Sequence, residues 1–246
     1  MLNARAKGFD VGEKAGGEVI TDADRAANDI IVAAVAEAFP DDVIFSEESL
    51  DPAGRRDAPR VWIVDPMDGT SDFVRGGDSF TVSIGLSILH EAVLGVVYNP
   101  VQSRLYCGVV SEGVLVNDQA TTVSSATELA TARLVVSAKE WARGLDRIAT
   151  GLVTEQHTSM ALKLAEVAAG RADGVFSVKG RKEWGVCAGT ALVRAAGGLV
   201  TDLSGVPLTF NHPAGRPFDG LVAAGPGIHG ALVALLKDRL THRPRE

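Results

Sequence analysis

The sequence predicts a layered α/β protein, with helices packed between and over β-sheets rather than alternating with strands around a barrel. Three observations carry that prediction. Four segments repeat apolar residues at helical spacing, while others alternate them or run them together as strands do. The strand-like segments come in runs, most densely from Thr81 to Val110. Aromatic residues are 5% of a chain that is 46% hydrophobic, so the core between the layers is aliphatic.

The first long helix runs from about Asp22 to Phe39. Thr21 is its N-cap, because a threonine hydroxyl accepts from an unpaired first-turn N–H, and Ile30, Ile31, Ala34, Val35 and Ala38 follow at helical spacing. Phe39-Pro40-Asp41-Asp42 ends it. Val43 to Phe45 is a short strand entering Ser46-Glu47-Glu48, and Val61 to Val64 is another entering Asp65-Pro66. Beyond Thr81, Val82, Ile84 and Leu86 alternate with polar or small residues, as do Leu105, Cys107 and Val109, and Tyr98-Asn99-Pro100 turns the chain between two strands. Residues 134–137 read as a buried strand that opens a second half. Ala161 to Gly170 and Val186 to Ala196 read as helices, Leu199 to Thr201 and Leu221 to Ala224 as strands, and Ile228 to Leu240 as a final helix.

A chain of 246 residues buries a substantial core, and no low-complexity linker divides it. It reads as one domain, 1–246, with an N-terminal half (about 1–130) and a C-terminal half (about 131–246). Lys plus Arg number 24 against 31 for Asp plus Glu, a net charge of −7. That balance excludes an extended basic face, and with it nucleic-acid polymers and anionic membrane surfaces as expected partners. A phosphorylated ligand then requires local cations or a metal. Cys107 and Cys187 stand alone without CxxC or Cys/His spacing, so a zinc site is not expected and the thiols read as small packing residues of a reducing cytoplasm. Met1 to Lys7 has no apolar signal-peptide core, and apolar stretches such as Ala231 to Leu236 are too short to span a bilayer.

Asp65-Pro66-Met67-Asp68-Gly69-Thr70 is the most informative segment. Two carboxylates three residues apart, on a turn forced by Pro66 and Gly69, can point at one spot. The Met67 carbonyl supplies a third oxygen, and Mg²⁺ favours this mixture. A short helical turn after Gly69 would aim the free N–H groups of Gly69 and Thr70 at an anion. Metal-binding carboxylates beside an N–H nest are what phosphate-ester hydrolysis needs. Taken alone, Asp-Pro and Asp-Gly are also ordinary turn dipeptides, and Ser46-Glu47-Glu48-Ser49 alone reads as a solvated acidic turn. Val19-Ile20-Thr21-Asp22-Ala23-Asp24 upstream and Glu183-Trp184-Gly185-Val186-Cys187-Ala188-Gly189 downstream complete the set.

Together these segments resemble the inositol monophosphatase superfamily of Mg²⁺-dependent, lithium-sensitive phosphomonoesterases, from about Lys14 to Leu236. Asp65 to Thr70 matches the signature D-P-x-D-G-T, Glu47-Glu48-Ser49 matches E-E-S, and Trp184 to Gly198 matches W-D-x-A-A-G followed by A-G-G. Lys182-Glu183-Trp184, Leu208-Thr209-Phe210-Asn211 and Ala224-Gly225-Pro226 look most like the bacterial 3′(2′),5′-bisphosphate nucleotidase branch.

The resemblance implies an α-β-α-β-α sandwich of the inositol monophosphatase and fructose-1,6-bisphosphatase type, and a homodimer. It implies two or three Mg²⁺ ions. Glu47, Asp65 and the Met67 carbonyl would hold the first; Asp65 would bridge to a second that Asp68 also binds. Thr70 would orient the attacking water with help from Asp24, and the Gly69 and Thr70 amides would hold the phosphate. Ser159, Lys163 and Glu183 fall where relatives meet the substrate. The implied substrate is a small phosphorylated metabolite, with 3′-phosphoadenosine 5′-phosphate ahead of inositol phosphate and a catalytically attenuated ligand-binding paralogue as the rival.

The chain departs from the pattern at Gly185, where the family carries a metal-binding Asp after Trp. Water could fill that vacancy, Glu183 could swing in, or catalysis could be weak, so a weakened second metal site is expected. Relatives also carry a further helix before the region of Phe9 to Asp24, so this chain reads as one helix short. Lys163 reads equally as a helix-surface lysine. Lys179, Arg181 and Lys182 form the best local basic cluster, suited to a second phosphate or simply to solvent. Trp184 reads as packing the helix start. His90, His157, His212, His229 and His242 have no ligand spacing.

Overall fold

The central strands of this chain bury both faces, and the architecture follows from that. The computed structural model describes residues 1–14, 17–212 and 218–241. A six-residue helix, α1 (Leu2–Lys7), precedes a hairpin of β1 (Val11–Glu13) and β2 (Val19–Thr21) and the long α2 (Asp22–Ala38). A seven-stranded sheet follows in chain order: β3 (Val43–Ser46), β4 (Arg60–Asp68), β5 (Thr81–Ile88), β6 (Glu91–Asn99), β7 (Arg104–Val109), β8 (Gly113–Val116) and β9 (Gln119–Thr121). Its pairs are antiparallel except β3 with β4. The short α3 (Thr70–Val74) lies between β4 and β5.

The second half builds a mixed five-stranded sheet from β10 (Arg133–Ser137), β11 (Val153–His157), β12 (Gly174–Ser177), β13 (Leu199–Thr201) and β14 (Leu221–Ala224), in the order β11-β10-β12-β14-β13. Between β10 and β11 run α4 (Ala138–Glu140), a π-helical stretch (Trp141–Leu145) and α5 (Asp146–Ile148). The remaining helices are α6 (Met160–Ala168), α7 (Cys187–Ala195) and α8 (Pro226–Thr241).

The period-2 rule places the layers. In β10, Val135 joins the core with α6 and α7, while Leu134 and Val136 join Ile228, Leu232 and Leu236 of α8. In β14, Leu221 and Ala223 face the first cluster and Val222 and Ala224 the second. With α6 and α7 between the sheets, α8 outside one and α2 against β3 and β4 of the other, the five layers run α-β-α-β-α, as expected.

One packing detail fixes the site. Gly85, Gly95 and Gly108 stand opposite one another across β5, β6 and β7. A Cβ at Gly85 would lie 2.7 Å from the Ala188 amide, and one at Gly95 would fall on the Ala188 carbonyl. Helix α7 therefore rests on bare backbone, which places the segment just before it, Trp184 to Val186, at one end of the sheet.

Several expectations change. Strand β4 continues through Asp65 to Asp68 where a turn was expected. On α2 the apolar stripe is only half used: Ile31 and Val35 are half-buried, while Ile30 is 71% exposed. Arg5 ties helix α1 to the Gly76 and Gly77 carbonyls.

Candidate active site

Strand β4 delivers the acidic residues by a bulge. In a regular strand, residues three apart face opposite sides. Here Asp65 stands opposite Ser83 and Asp68 opposite Thr81, so β4 carries one extra residue and its twist brings both carboxylates to one cleft. Asp65 is buried at 3% exposure and accepts from the Met67 amide at 3.1 Å. The Met67 side chain packs with Ala23, Phe73 and Phe80, which ties the bulge to α2 and α3.

Gly69 then turns the chain at φ 100°, and a Cβ there would meet the Ser79 carbonyl oxygen at 2.5 Å, so only glycine fits. Its carbonyl accepts the Asp72 amide at 2.8 Å, which starts α3. The N–H groups of Gly69 and Thr70 precede that first helical bond. Thr70 Oγ1 lies 3.0 Å from both Asp24 Oδ1 and the Met67 carbonyl oxygen, so its one proton can serve either. Asp24, 1% exposed, is fixed by the Thr21 cap: its Oδ2 accepts from the Thr21 amide at 2.8 Å and from the Thr21 hydroxyl at 2.5 Å. Thr70 and Asp24, 46 positions apart, thus meet beside the carboxylates.

The carboxylates of the cleft crowd one another, and among the described residues Asp65 has no cation bonded to it. Burial, then the fields of Glu47 and Asp68 and the closeness of the Glu47 carboxylate, push the Asp65 carboxyl well above the usual range. Burial also raises Glu47, against the opposing pull of Lys14. Lys14 Nζ donates to Glu47 at 2.8 Å and to Glu48 at 2.6 Å; although burial disfavours its charge, the two carboxylates hold the ammonium above its ordinary range. Asp68 Oδ2 accepts from Ser159 Oγ at 2.7 Å and from the Ala161 amide at 2.6 Å. With Glu47 on a lysine and Asp68 on these donors, no group of three His, Cys, Asp or Glu among the described residues stands ready to hold a metal. The donor chemistry nevertheless fits Mg²⁺. Hard oxygens of Glu47, Asp65 and Asp68 share one cleft with the Met67 carbonyl close by, and their mutual repulsion is what a divalent cation relieves.

These groups line a cavity of about 280 Å³. The same cavity is also lined by Lys139, Arg181 and Lys182, together with Trp184 and Gly185. The Trp184 ring packs edge-on to Phe45 at 5.4 Å, and its carbonyl accepts from Ser83 Oγ at 3.1 Å, so it holds the start of α7 as expected. A Cβ at Gly185 would lie 3.8 Å from Asp65 Oδ2 in ordinary contact.

Three expected substrate contacts are placed elsewhere. Ser159 caps α6 by accepting from the Leu162 amide and holds Asp68, so it serves the carboxylate. Lys163 is neither a surface lysine nor part of the cleft wall: it is fully buried, and its Nζ donates to the His157 and Thr158 carbonyls at 3.0 and 3.2 Å. Burial and then the Arg181 charge lower its pKa to about 7. Glu183 cannot swing toward the Gly185 vacancy, because its carboxylate accepts from the Asn211 and His212 amides at 2.7 and 2.8 Å. Lys179 is exposed and outside the wall, and Lys139 takes its place in the basic group. Lys14 and Lys139 had no motif to announce them.

The whole pattern has known counterparts. The model of the inositol monophosphatase family matches residues 1–240. The chain belongs to that family. Its members are phosphomonoesterases that generally depend on Mg²⁺, and this chain is accordingly a phosphoric monoester hydrolase by descent. It is 34% identical to the Nus factor SuhB of Pasteurella multocida over 92% of this chain and 87% of that protein. It is also 34% identical to inositol monophosphatase 3 of Solanum lycopersicum over 76% of this chain and 75% of that one. Among solved structures, extragenic suppressor protein suhB of Bartonella henselae superposes with a TM-score of 0.83 at 30% identity, covering 96% of this chain and 92% of its own. An IMPase from Thermotoga maritima does so at 0.84 and 27%, covering 98% and 92%. Among the described residues no helix is long and apolar enough to cross a membrane.

Proposed function

We propose that the cleft hydrolyses a small phosphorylated metabolite with Mg²⁺ held by Glu47, Asp65, Asp68 and the Met67 carbonyl, the second cation bound weakly for want of a carboxylate at Gly185. The observation that carries this reading is the convergence of three carboxylates with the Thr70–Asp24 pair beside the Gly69 turn. Bound Mg²⁺ would supply Lewis-acid charge for the phosphoryl oxygens and lower the pKa of water. The chain's own residues do the rest. Asp24 accepts the Thr70 proton and leaves a Thr70 lone pair to orient water. The Gly69 and Thr70 amides cradle the phosphate, and the bulge of β4 sets both groups relative to each other, so that catalysis comes from positioning and electrostatics.

The leading substrate is 3′-phosphoadenosine 5′-phosphate, supported by the Lys182-Glu183-Trp184 pattern. Inositol 1-phosphate is the second reading, supported by relatives named inositol monophosphatase. A catalytically attenuated ligand-binding paralogue is the third, supported by Gly185. A cytoplasmic homodimer completes the proposal, checked by light scattering on the purified chain. Phosphate release from a metabolite panel, with Mg²⁺ and with chelator, tests the activity: Asp65→Asn should abolish it. Phosphate release that survives chelation, or that Asp65→Asn leaves intact, removes the cleft from the reaction.

A further inference from the structure

Helix α2 buries two polar side chains about one turn apart. Asp24 is the partner of Thr70. Asn28, 7% exposed, touches no part of the reaction described above, yet its carboxamide sits between two serines. Its Oδ1 accepts from Ser46 Oγ at 2.7 Å, and its Nδ2 donates to Ser49 Oγ at 3.3 Å. Glu47 and Glu48 are the two residues between those serines, so one side chain holds the acidic turn at both ends. The remaining tether of the turn is backbone. The Glu47 amide donates to the Val64 carbonyl at 3.0 Å, where Ser46 stands opposite Val64 in the parallel pair of β3 and β4. Val64 directly precedes Asp65.

What Asn28 adds beyond packing is direction. Directional bonds at both ends of a four-residue turn fix where the residues between them point. Lys14 holds the Glu47 carboxylate by its oxygens but leaves the backbone of the turn free. One helix thereby carries the partner of Thr70 and the support of Glu47. We propose that Asn28 is a positioning residue for the first cation: it sets the Ser46–Ser49 turn so that the Glu47 carboxylate stays beside Asp65. The inference deepens the phosphatase reading above and rests on it. Removing a group that orients a metal-binding side chain costs about ten- to a hundredfold in metal affinity. The weakest contacts of Asn28 are those to Ser49, so the Ser46 bond carries most of the effect.

The test is calorimetric titration of the chelator-stripped chain with Mg²⁺, beside phosphate release at saturating Mg²⁺. Asn28→Ala should raise the Mg²⁺ dissociation constant about tenfold. Ser46→Ala breaks the same bond from its other end and should raise it to a similar extent. The double variant should go little further than either single one, because both remove one connection. At saturating Mg²⁺ the kcat of Asn28→Ala should stay close to wild type, since Asp24 keeps its own bonds to Thr21 and Thr70. Leu236→Ala, in the core beneath α8, controls for lost stability: it should lower Tm and leave the Mg²⁺ constant unmoved. A constant that Asn28→Ala does not move, a shift that Leu236→Ala reproduces, or fully additive shifts in the double variant overturns the proposal while the cation reading stands. A wild-type chain that binds no Mg²⁺ removes the cation reading, and this inference with it. If Asn28→Ala does not fold, Ser46→Ala carries the decision.

Discussion

Gly185→Asp tests the electrostatics of the cleft in both signs. The backbone of Gly185 is not left-handed and a Cβ there makes only ordinary contacts, so an aspartate enters without strain and brings its carboxylate next to Asp65. Two unit charges about 4 Å apart at an effective dielectric of about 20 repel by about 4 kcal/mol. Burial and its acidic neighbours already raise the Asp65 carboxyl, so part of that repulsion is relieved by proton uptake. A net destabilisation of about 2 kcal/mol is expected in chelator, a Tm drop of roughly 4–8 °C for a chain of this size. Divalent cation reverses the sign, because the new carboxylate becomes a ligand. Half-saturating Mg²⁺ should fall about tenfold, equivalent to about 1.4 kcal/mol of binding. The assays are thermal unfolding in chelator and in graded Mg²⁺, and phosphate release across the same series. A variant whose Tm is the same as wild type in chelator, and whose Mg²⁺ midpoint does not move, refutes the view that residue 185 faces the carboxylates.

Further outcomes follow from the same geometry. Thr70→Val should lower kcat about a hundredfold with an unchanged circular dichroism spectrum, since it removes a water-orienting hydroxyl and little packing; near-normal turnover would take Thr70 out of the reaction. Gly95→Ala drives a methyl into the Ala188 carbonyl and should cost about 3 kcal/mol, read by urea unfolding; a neutral result would mean α7 is not seated on β6. Lys163 has its folded pKa lowered to about 7, so between about 7 and its unfolded value the unfolded chain binds a proton that the folded chain does not. Stability from this group therefore rises with pH from about 7 toward 10 and is lost as pH falls through that window. Lys163→Met should flatten that rise in a pH series of denaturation midpoints, and a persisting slope would assign it to other groups.

The long-range order of the fold was legible wherever local pattern and tertiary demand agree. The strands from Thr81 onward alternate because the sheet has two unlike faces, and α6, α7 and α8 carry the apolar periodicity that two adjoining layers require. Pro66 misled because it is a good turn former, yet it sits in a bulge where a ladder N–H is not needed. The stripe on α2 misled differently: Ile30 has helical spacing but lies at 71% exposure. At the site, Asp24, Glu47, Asp65, Asp68 and Thr70 were visible because they sit in short motifs. Asn28 and Lys14 were not, since each acquires meaning only from a partner 18 and 33 positions away. Glu183 and Lys163 were visible as residues, but their partners are backbone groups, which a sequence pattern does not display.

The row of glycines under α7 has a mechanical corollary. Elsewhere, helix and sheet meet through side chains that can change rotamer and soak up small displacements. Here main chain touches main chain, so a shift of β6 is handed on undamped to Trp184 and Gly185 at the rim of the cleft. Altered residues on strands remote from the reaction should therefore register first as lost turnover and only later as lost folding.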